Sequence, residues 1–242
     1  MAIALDVANV GRGNNGGGGI TSCSLTTSSA VASGARIFLC LSWQLGGGTP
    51  VFSSMTAAGG LTWTLEAQIG DGALGDSSGA ALIYADAPAG LASSTTLTAS
   101  WTGTAFAAVL LGSSYTGITG TRTAEGTDRV GTTTTWTSPT IAVGAGGIVI
   151  GICANDNSPQ ANTPTAPAVE DNDFANPSEL IYGVIERRIE ASAGSYNVAG
   201  TLTTAPGVNN AIVVASYEAT ASVTPGPGDN PPIGIAGRGA GW

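Results

Sequence analysis

Apolar residues recur at every second position in several segments of this chain, and this alternation constrains the fold most. In residues 35–43 (ARIFLCLSW) the odd-numbered positions are all apolar, and in residues 95–101 (TTLTASW) Leu97, Ala99 and Trp101 alternate with Thr and Ser. A period of two is typical of half-buried antiparallel strands. Gly, Pro, Asn and Asp separate the strand-like runs, which cover residues 35–44, 61–69, 79–85, 95–101, 105–115, 147–154, 180–190, 195–202 and 210–218.

Helical spacing of apolar residues is not sustained anywhere in the sequence. Only residues 180–190 (LIYGVIERRIE) also fit a short helix, and Gly183 together with the β-branched residues favours a strand there. We therefore predict an all-β fold, an antiparallel β-sandwich with jelly-roll-like connectivity.

The two halves of the chain resemble each other weakly. Segments around Ile37, Tyr84 and Tyr115 recur in the same order around Ile148, Tyr182 and Tyr217, at offsets of about 100 residues. Such an offset is too long for a solenoid repeat and indicates a duplicated unit of four to five strands. We predict one sandwich domain over residues 1–220 with halves of about 1–120 and 131–220. The glycine-rich residues 11–19 (GRGNNGGGG) fall outside the pattern, because they cannot hold one shape unsupported.

Composition excludes several kinds of chemistry. The chain has no His and no Lys, and its 7 Arg stand against 16 Asp and Glu, which gives a net charge of −9. Without His or Lys there is no Ser-His-Asp or Cys-His nucleophile, no Schiff-base lysine and no phosphate-loop lysine. An acidic chain is a poor phosphate-backbone binder, so we expect no nucleic-acid partner. No segment reaches the roughly 18 apolar residues of a spanning helix, and the N-terminus lacks signal-peptide features, so we expect no membrane partner.

The three cysteines are Cys23, Cys40 and Cys153. Their number is odd, and no pair has CxxC spacing, so neither a disulfide framework nor a zinc or redox site is indicated. Cys40 and Cys153 lie in apolar strand-like runs, which predicts buried free thiols.

Acidic residues concentrate in two stretches, residues 66–76 and residues 156–179. Carboxylates and Asn at short spacing can bind Ca²⁺, yet neither stretch has the DxDxDG pattern, and Asx residues also favour turns. Solvated loops are the simpler interpretation. A glycosidase could use two of these carboxylates, but no spacing fixes such a pair. We therefore predict no catalytic, cofactor or metal residues and no cofactor, with an enzyme as the weaker class.

The five tryptophans divide by their surroundings. Trp43 and Trp101 are in phase with apolar strand faces and are predicted to lie in the core. Trp63 and Trp136 are flanked by Thr, and we predict that they are surface aromatics able to face a ligand. The adjacent Arg187 and Arg188 are expected to neutralise nearby Glu side chains across the sheet; the two expected are Glu186 and Glu190.

Residues 221–242 (ASVTPGPGDNPPIGIAGRGAGW) contain too much Pro and Gly for a helix or a central strand. One interpretation is a disordered tail. The other is an extended arm whose apolar side chains, Ile233, Ile235 and Trp242, anchor it to a neighbouring subunit.

The order of these segments resembles a family of β-sandwich virion proteins of tailed bacteriophages and prophages, including head decoration, neck and tail components. The resemblance covers roughly residues 1–220 and includes SGARIFLCLSW, TPVFSSMTAAGGLTWTLEA, IYADAPAG, FAAVLLGSSYTGI, ASAGSYNVAGTL and NAIVVASYEA. The matching positions are structural and carry no catalytic motif: Gly34, Leu61, Trp63, Pro88, Tyr115, Gly194 and Tyr196.

The resemblance implies location in the virion and a capsid decoration or cement role carried out by protein–protein contacts. The partners would be the major capsid protein or other virion proteins, and we expect a homo-oligomer, with a trimer as the working guess. The alternative is a tail-associated carbohydrate- or receptor-binding module that uses Trp63, Trp136 and the acidic stretches. A glycan hydrolase is a third, weaker hypothesis.

Overall fold

The structure is a computed structural model that describes residues 2–45, 50–57, 60–70, 78–118, 120, 122–156, 161–176, 181–205 and 210–219. All elements in these ranges are strands, and all their pairings are antiparallel, so the all-β, antiparallel prediction is confirmed. The strands are β1 Ala4–Asn15, β2 Ile20–Thr27, β3 Ala35–Leu45, β4 Val51–Ala57, β5 Trp63–Ile69, β6 Ser78–Ala87, β7 Thr96–Thr116, β8 Ala124–Val130, β9 Thr135–Thr137, β10 Ile141–Val143, β11 Ile148–Asn155, β12 Asn162–Pro164, β13 Val169–Asn176, β14 Ile181–Ile189, β15 Gly194–Tyr196, β16 Ala199–Leu202 and β17 Asn210–Tyr217.

Two large sheets form the centre of the molecule. In the first, β1, β7, β3, β6 and β5 are neighbours in that order, and the early part of the 21-residue β7 also pairs with β2 and β4. The second sheet has the order β8-β17-β11-β14-β13. A three-stranded sheet, β12-β16-β9, and the pair β10-β15 accompany it.

Three apolar clusters show how these sheets are layered. One cluster joins β3, β6 and β7 to β11, β14 and β17, so the two large sheets pack face to face. A second fills the space between the inner strands of the first half and its outer strands β2 and β4. The third lies between the second large sheet and β9, β10 and β16. The arrangement is a stack of layers around three cores, consistent with sandwich packing.

The central strands are buried on both faces, which corrects the expectation of half-buried strands. In β3, Ile37 and Leu39 face the outer layer of their own half, and Phe38 and Cys40 face the other large sheet. The alternation predicted the two faces correctly, but it could not show that a second sheet covers the face carrying Phe38.

Three segments differ from the strand prediction. Residues 105–115 and 95–101 belong to one continuous strand, β7, rather than two. The glycine-rich segment belongs to strand β1 as far as Asn15. Gly13 approaches the backbone of Ser24 in β2 so closely that a Cβ at this position would collide with it, and glycine is therefore required there. Much of the acidic stretch is also a strand, β13.

The two halves share one strand order. The sequence β1-β7-β3-β6-β5 in the first sheet has its counterpart in β8-β17-β11-β14-β13, and β2-β7-β4 has its counterpart in β9-β16-β12. The registers keep the match of Tyr115 with Tyr217, which pair with Arg36 in β3 and with Ile148 in β11. They match Tyr84 with Arg187 rather than with Tyr182, because Tyr84 pairs two residues beyond Arg36 and Arg187 two residues beyond Ile148. Jelly-roll connectivity and a relationship between the halves remain predictions.

Candidate functional site

Trp136 is not a surface aromatic. Its side chain is 1% exposed and packs in the core between the second large sheet and its outer layer, so this part of the prediction is wrong. The indole Nε1 donates a hydrogen bond to Asn162 Oδ1 at 3.0 Å. Trp63 is half-buried and packs against the core of the first half. The neighbouring Thr residues were misleading, because they lie on the opposite face of each strand.

The acidic residues of the two predicted stretches do not form a common site. Glu66 lies in β5, and Glu170, Asp171 and Asp173 lie in β13, whereas Asp71, Asp76 and Glu179 lie outside the described residues. Within the described ranges, no group of three or more His, Cys, Asp or Glu side chains is placed to hold a metal ion.

Asn162 connects two glutamates in a polar cluster beneath the outer layer of the second half. Its Nδ2 donates to Glu186 Oε1 at 2.6 Å and to Glu170 Oε2 at 2.9 Å. Glu170 and Glu186 are direct cross-strand partners in β13 and β14. A Cβ at Gly200 would lie 2.8 Å from both Glu186 Oε1 and Trp136 Nε1, so glycine makes room for the cluster.

Burial keeps a proton on this cluster. Glu186 is fully buried, and desolvation raises its pKa to about 8. The hydrogen bond from Asn162 lowers this pKa, but by less than burial raises it. The pKa of Glu170 is raised as well, chiefly by burial. Because the Glu186 carboxyl group is neutral over most of the physiological pH range, the cluster is a hydrogen-bonded packing element of the core.

A second polar group joins the two large sheets at one edge. The Asp171 carboxylate accepts a hydrogen bond from the Tyr115 hydroxyl and forms an ion pair with Arg187. Its side chain is 0% exposed. Burial raises the pKa of Asp171 to about 8. The expectation that Arg187 pairs with a neighbouring Glu is therefore wrong, because alternation turns Glu186 to the opposite face; Arg188 does pair with Glu190.

The opposite edge has a related arrangement. Arg122 Nη1 lies 3.2 Å from Glu66 Oε2 and also contacts Glu125. The Tyr217 hydroxyl lies beside the Glu66 carboxyl, without a hydrogen bond of good geometry. Burial raises the pKa of Glu66, and Arg122 lowers it.

An open groove adjoins this edge, and we call it the Tyr84 groove. It consists of a hollow of about 380 Å³ flanked by two smaller ones of about 260 and 240 Å³. The first shares Asp86 and Pro88 with the hollow of 260 Å³, and Thr64 and Tyr84 with the hollow of 240 Å³. Arg36 binds Asp86 through two hydrogen bonds of 2.7 and 3.0 Å, and its Cζ lies 4.5 Å from the Tyr84 ring centroid. The remaining side chains that matter for its chemistry are Leu61, Thr62, Glu66 and Arg122.

Sequence reasoning missed this groove. The IYADAPAG segment was noted for its resemblance, and the alternation that places Tyr84 and Asp86 on one face of β6 was visible. The contribution of Arg36 and Thr64 from β3 and β5 depends on strand order, which the sequence does not reveal. Ile233, Ile235 and Trp242, the predicted anchors of the arm, lie outside the described residues.

Comparisons with known proteins returned nothing: no protein-family model, no curated protein and no solved structure matches this chain. The part of the chain described by the structure has no helix long and apolar enough to cross a membrane.

Proposed function

We propose that the chain is a structural protein of a bacteriophage virion, a capsid decoration or cement protein that works by protein–protein contacts rather than by catalysis. Its partners would be the major capsid protein or other virion proteins, and its own assembly a homo-oligomer, with a trimer as the working guess. The sequence resemblance suggests this class, and the following observation supports a scaffold role.

The observation that carries the proposal is the use of the arginines. All six arginines in the described ranges contact other parts of the same chain through ion pairs or carbonyl hydrogen bonds, and they are Arg12, Arg36, Arg122, Arg129, Arg187 and Arg188. Because the sequence has no Lys and no His, these are the cationic side chains of the described residues. The contacts of Arg12, Arg122 and Arg129 link the two large sheets. The others lie within one sheet or one segment. Charged groups committed to such internal contacts favour a scaffold over a reactive centre.

The C-terminal segment is the proposed contact with a neighbour. Ile233, Ile235 and Trp242 provide apolar anchors in a stretch where Pro and Gly prevent regular structure. An arm of this kind adds affinity by tethering, because its binding to a neighbour becomes effectively intramolecular.

Quantitative mass spectrometry of purified virions tests the proposal. A decoration protein is expected in many copies per particle, and the purified chain should bind capsids that lack it. Deletion of residues 221–242 should weaken that binding while leaving the thermal unfolding of the sandwich unchanged. A few copies per particle combined with binding to host cells would instead support a tail adhesin, and absence from virions would overturn the proposal.

We further propose that the sandwich consists of two related halves, as the sequence match of Tyr115 with Tyr217 predicts. The shared strand order and register support this relationship. The contacts between the large sheets also support it, because they come in reciprocal pairs. The contact of β1 with β13 is matched by that of β8 with β5, and the contact of β7 with β14 is matched by that of β17 with β6. Such reciprocity is the mark of an isologous interface between two like units.

A further inference from the structure

The Tyr84 groove is a mixed polar and apolar surface with compensated charge. Two carboxylates of its lining, Asp86 and Glu66, are paired with two guanidiniums, Arg36 and Arg122, and Arg122 also pairs with Glu125 beside the groove. Because each of these charges already has an oppositely charged partner, the groove offers no unpaired charge to attract an ion. The ligand that suits it is therefore neutral.

The walls of the groove combine hydroxyl-binding groups with apolar patches. Thr62 and Thr64 are exposed, and the Asp86 side chain is 61% exposed, so its carboxylate can accept hydrogen bonds in addition to those from Arg36. Leu61 and Pro88 provide apolar contacts beside the partly exposed Tyr84 ring. The largest hollow, about 380 Å³, lies within the size range of small-ligand sites.

The second half of the chain provides an internal comparison. In the first half Thr64 pairs with Tyr84, and in the second half Val169 pairs with Arg187. In the same way Asp86 pairs with Arg36 in the first half, and Ile189 pairs with Ile148 in the second. Thr64, Tyr84 and Asp86 thus correspond to Val169, Arg187 and Ile189. Val169 and Ile189 are 45% and 44% exposed and offer no hydrogen bonds from their side chains. Packing of the shared fold therefore does not require Thr64, whereas Asp86 is also the carboxylate partner of the buried Arg36 guanidinium.

We propose that the Tyr84 groove binds a neutral carbohydrate chain. Sugar hydroxyls would donate to Asp86 and exchange hydrogen bonds with Thr62 and Thr64. The apolar C–H faces of the sugar would lie against Leu61, Pro88 and the edge of Tyr84. A carbohydrate presents both kinds of surface along its length without charge, and this combination matches the groove.

The inference extends the proposed virion role but does not depend on it. A decoration protein that binds a glycan would attach the particle to a carbohydrate-coated surface, whereas the groove could bind sugar equally well in any other setting. Sugar binding and copy number per virion are therefore measured separately, and either proposal can fail alone.

Saturation-transfer difference NMR with the full chain tests the inference, with maltohexaose, cellohexaose and chitohexaose as neutral probes and a hyaluronan hexasaccharide as an anionic one. We expect at least one neutral probe to bind with a Kd of millimolar or tighter. Thr64→Val and Asp86→Asn should each weaken that binding at least tenfold. The matched changes Val169→Thr and Ile189→Asn, at the corresponding positions of the second half, should leave it unchanged.

Circular dichroism melting of each variant shows whether it is folded, and Thr64→Val keeps the shape of an exposed side chain in case Asp86→Asn unfolds. No saturation transfer to any neutral probe would overturn the inference. Binding that withstands both groove substitutions would place the sugar elsewhere and would overturn it too. Binding of the anionic probe alone would contradict the neutral-ligand argument.

Discussion

Glu66 and Asp171 occupy corresponding positions in the two large sheets. Each is the extra residue of a β-bulge in an edge strand. Glu66 forms the bulge between Leu65 and Ala67 in β5. Asp171 forms the bulge between Glu170 and Asn172 in β13. Each carboxyl group also faces a tyrosine of the opposite sheet: Glu66 faces Tyr217, and Asp171 faces Tyr115. A bulge redirects a side chain, so here it turns a carboxyl from each sheet edge towards the other sheet.

Asp171→Ala should destabilise the protein strongly. The change leaves Arg187, whose side chain is 18% exposed, without its carboxylate partner, and breaking a buried ion pair on one side costs about 3–5 kcal/mol. Urea unfolding followed by circular dichroism measures the loss. Asp173→Ala is the matched control: it removes a 3.5 Å pair with Arg12 that is 30–39% exposed and a 3.3 Å hydrogen bond from the Tyr182 hydroxyl. It should cost about 1–2 kcal/mol. Equal losses in the two variants would contradict the assignment of Asp171 as a buried partner.

Glu186→Gln should remove a pH dependence of stability. The pKa of Glu186 is raised from 4.5 to about 8 in the folded chain, so the folded state holds its proton more tightly than the unfolded state. Its favourable contribution is therefore complete below about pH 4.5 and is lost as the pH rises towards 8. Relative to Glu186→Gln, the unfolding free energy of the wild type should fall by roughly 1.4 kcal/mol per pH unit inside this window.

Urea unfolding at pH 5, 6, 7 and 8 measures this difference between wild type and variant. Gln retains an acceptor for Asn162, so the hydrogen bond of 2.6 Å can persist in the variant. Parallel pH profiles for the two proteins would show that Glu186 does not change its protonation on unfolding and would contradict the prediction.

Acrylamide quenching of tryptophan fluorescence should separate Trp63 from Trp136. Quenching requires contact, and Trp136 is 1% exposed whereas Trp63 is half-buried. In a Trp242→Phe background, Trp63→Phe should lower the quenching constant, and Trp136→Phe should lower the emission without lowering that constant. A lower quenching constant in Trp136→Phe and an unchanged one in Trp63→Phe would show that Trp136 is the more exposed side chain and would contradict the prediction.

The three thiols should be inert in the native protein. Cys23, Cys40 and Cys153 are free and buried, and burial raises the pKa of Cys23 and of Cys40 to about 12. Since the thiolate is the reacting form, a chromogenic disulfide reagent at pH 8 should label none of these thiols before denaturation and all three in guanidinium. Fast labelling of one thiol in the native state would show that its strand opens locally.

The sequence predicts those parts of the fold that depend on local pattern. The alternation in β3 assigned Ile37 and Phe38 to opposite faces because side-chain direction follows from strand geometry alone. The burial of Phe38 could not be predicted in the same way, because the strands of the sheet that covers it begin only at Ala124. For the same reason the Thr residues beside Trp136 suggested a surface that the outer layer in fact covers.

The candidate sites were harder to predict, because each gathers residues from distant strands. Asp171 looked like a loop residue, and only the pairing of β13 with β14 brings it to Arg187. In the Tyr84 groove, Asp86 and Arg36 are direct cross-strand partners separated by 50 residues. The sequence shows each charged residue but not its register, and register decides which charges meet.

The continuous β7 has a mechanical consequence for the molecule. This strand runs for 21 residues through both layers of the first half and pairs with four other strands, β1, β2, β3 and β4. In the second half the corresponding path is divided between β16 and β17. Tension applied along the chain should therefore peel the outer layer of the second half first, while the first half yields only when many hydrogen bonds of β7 shear together.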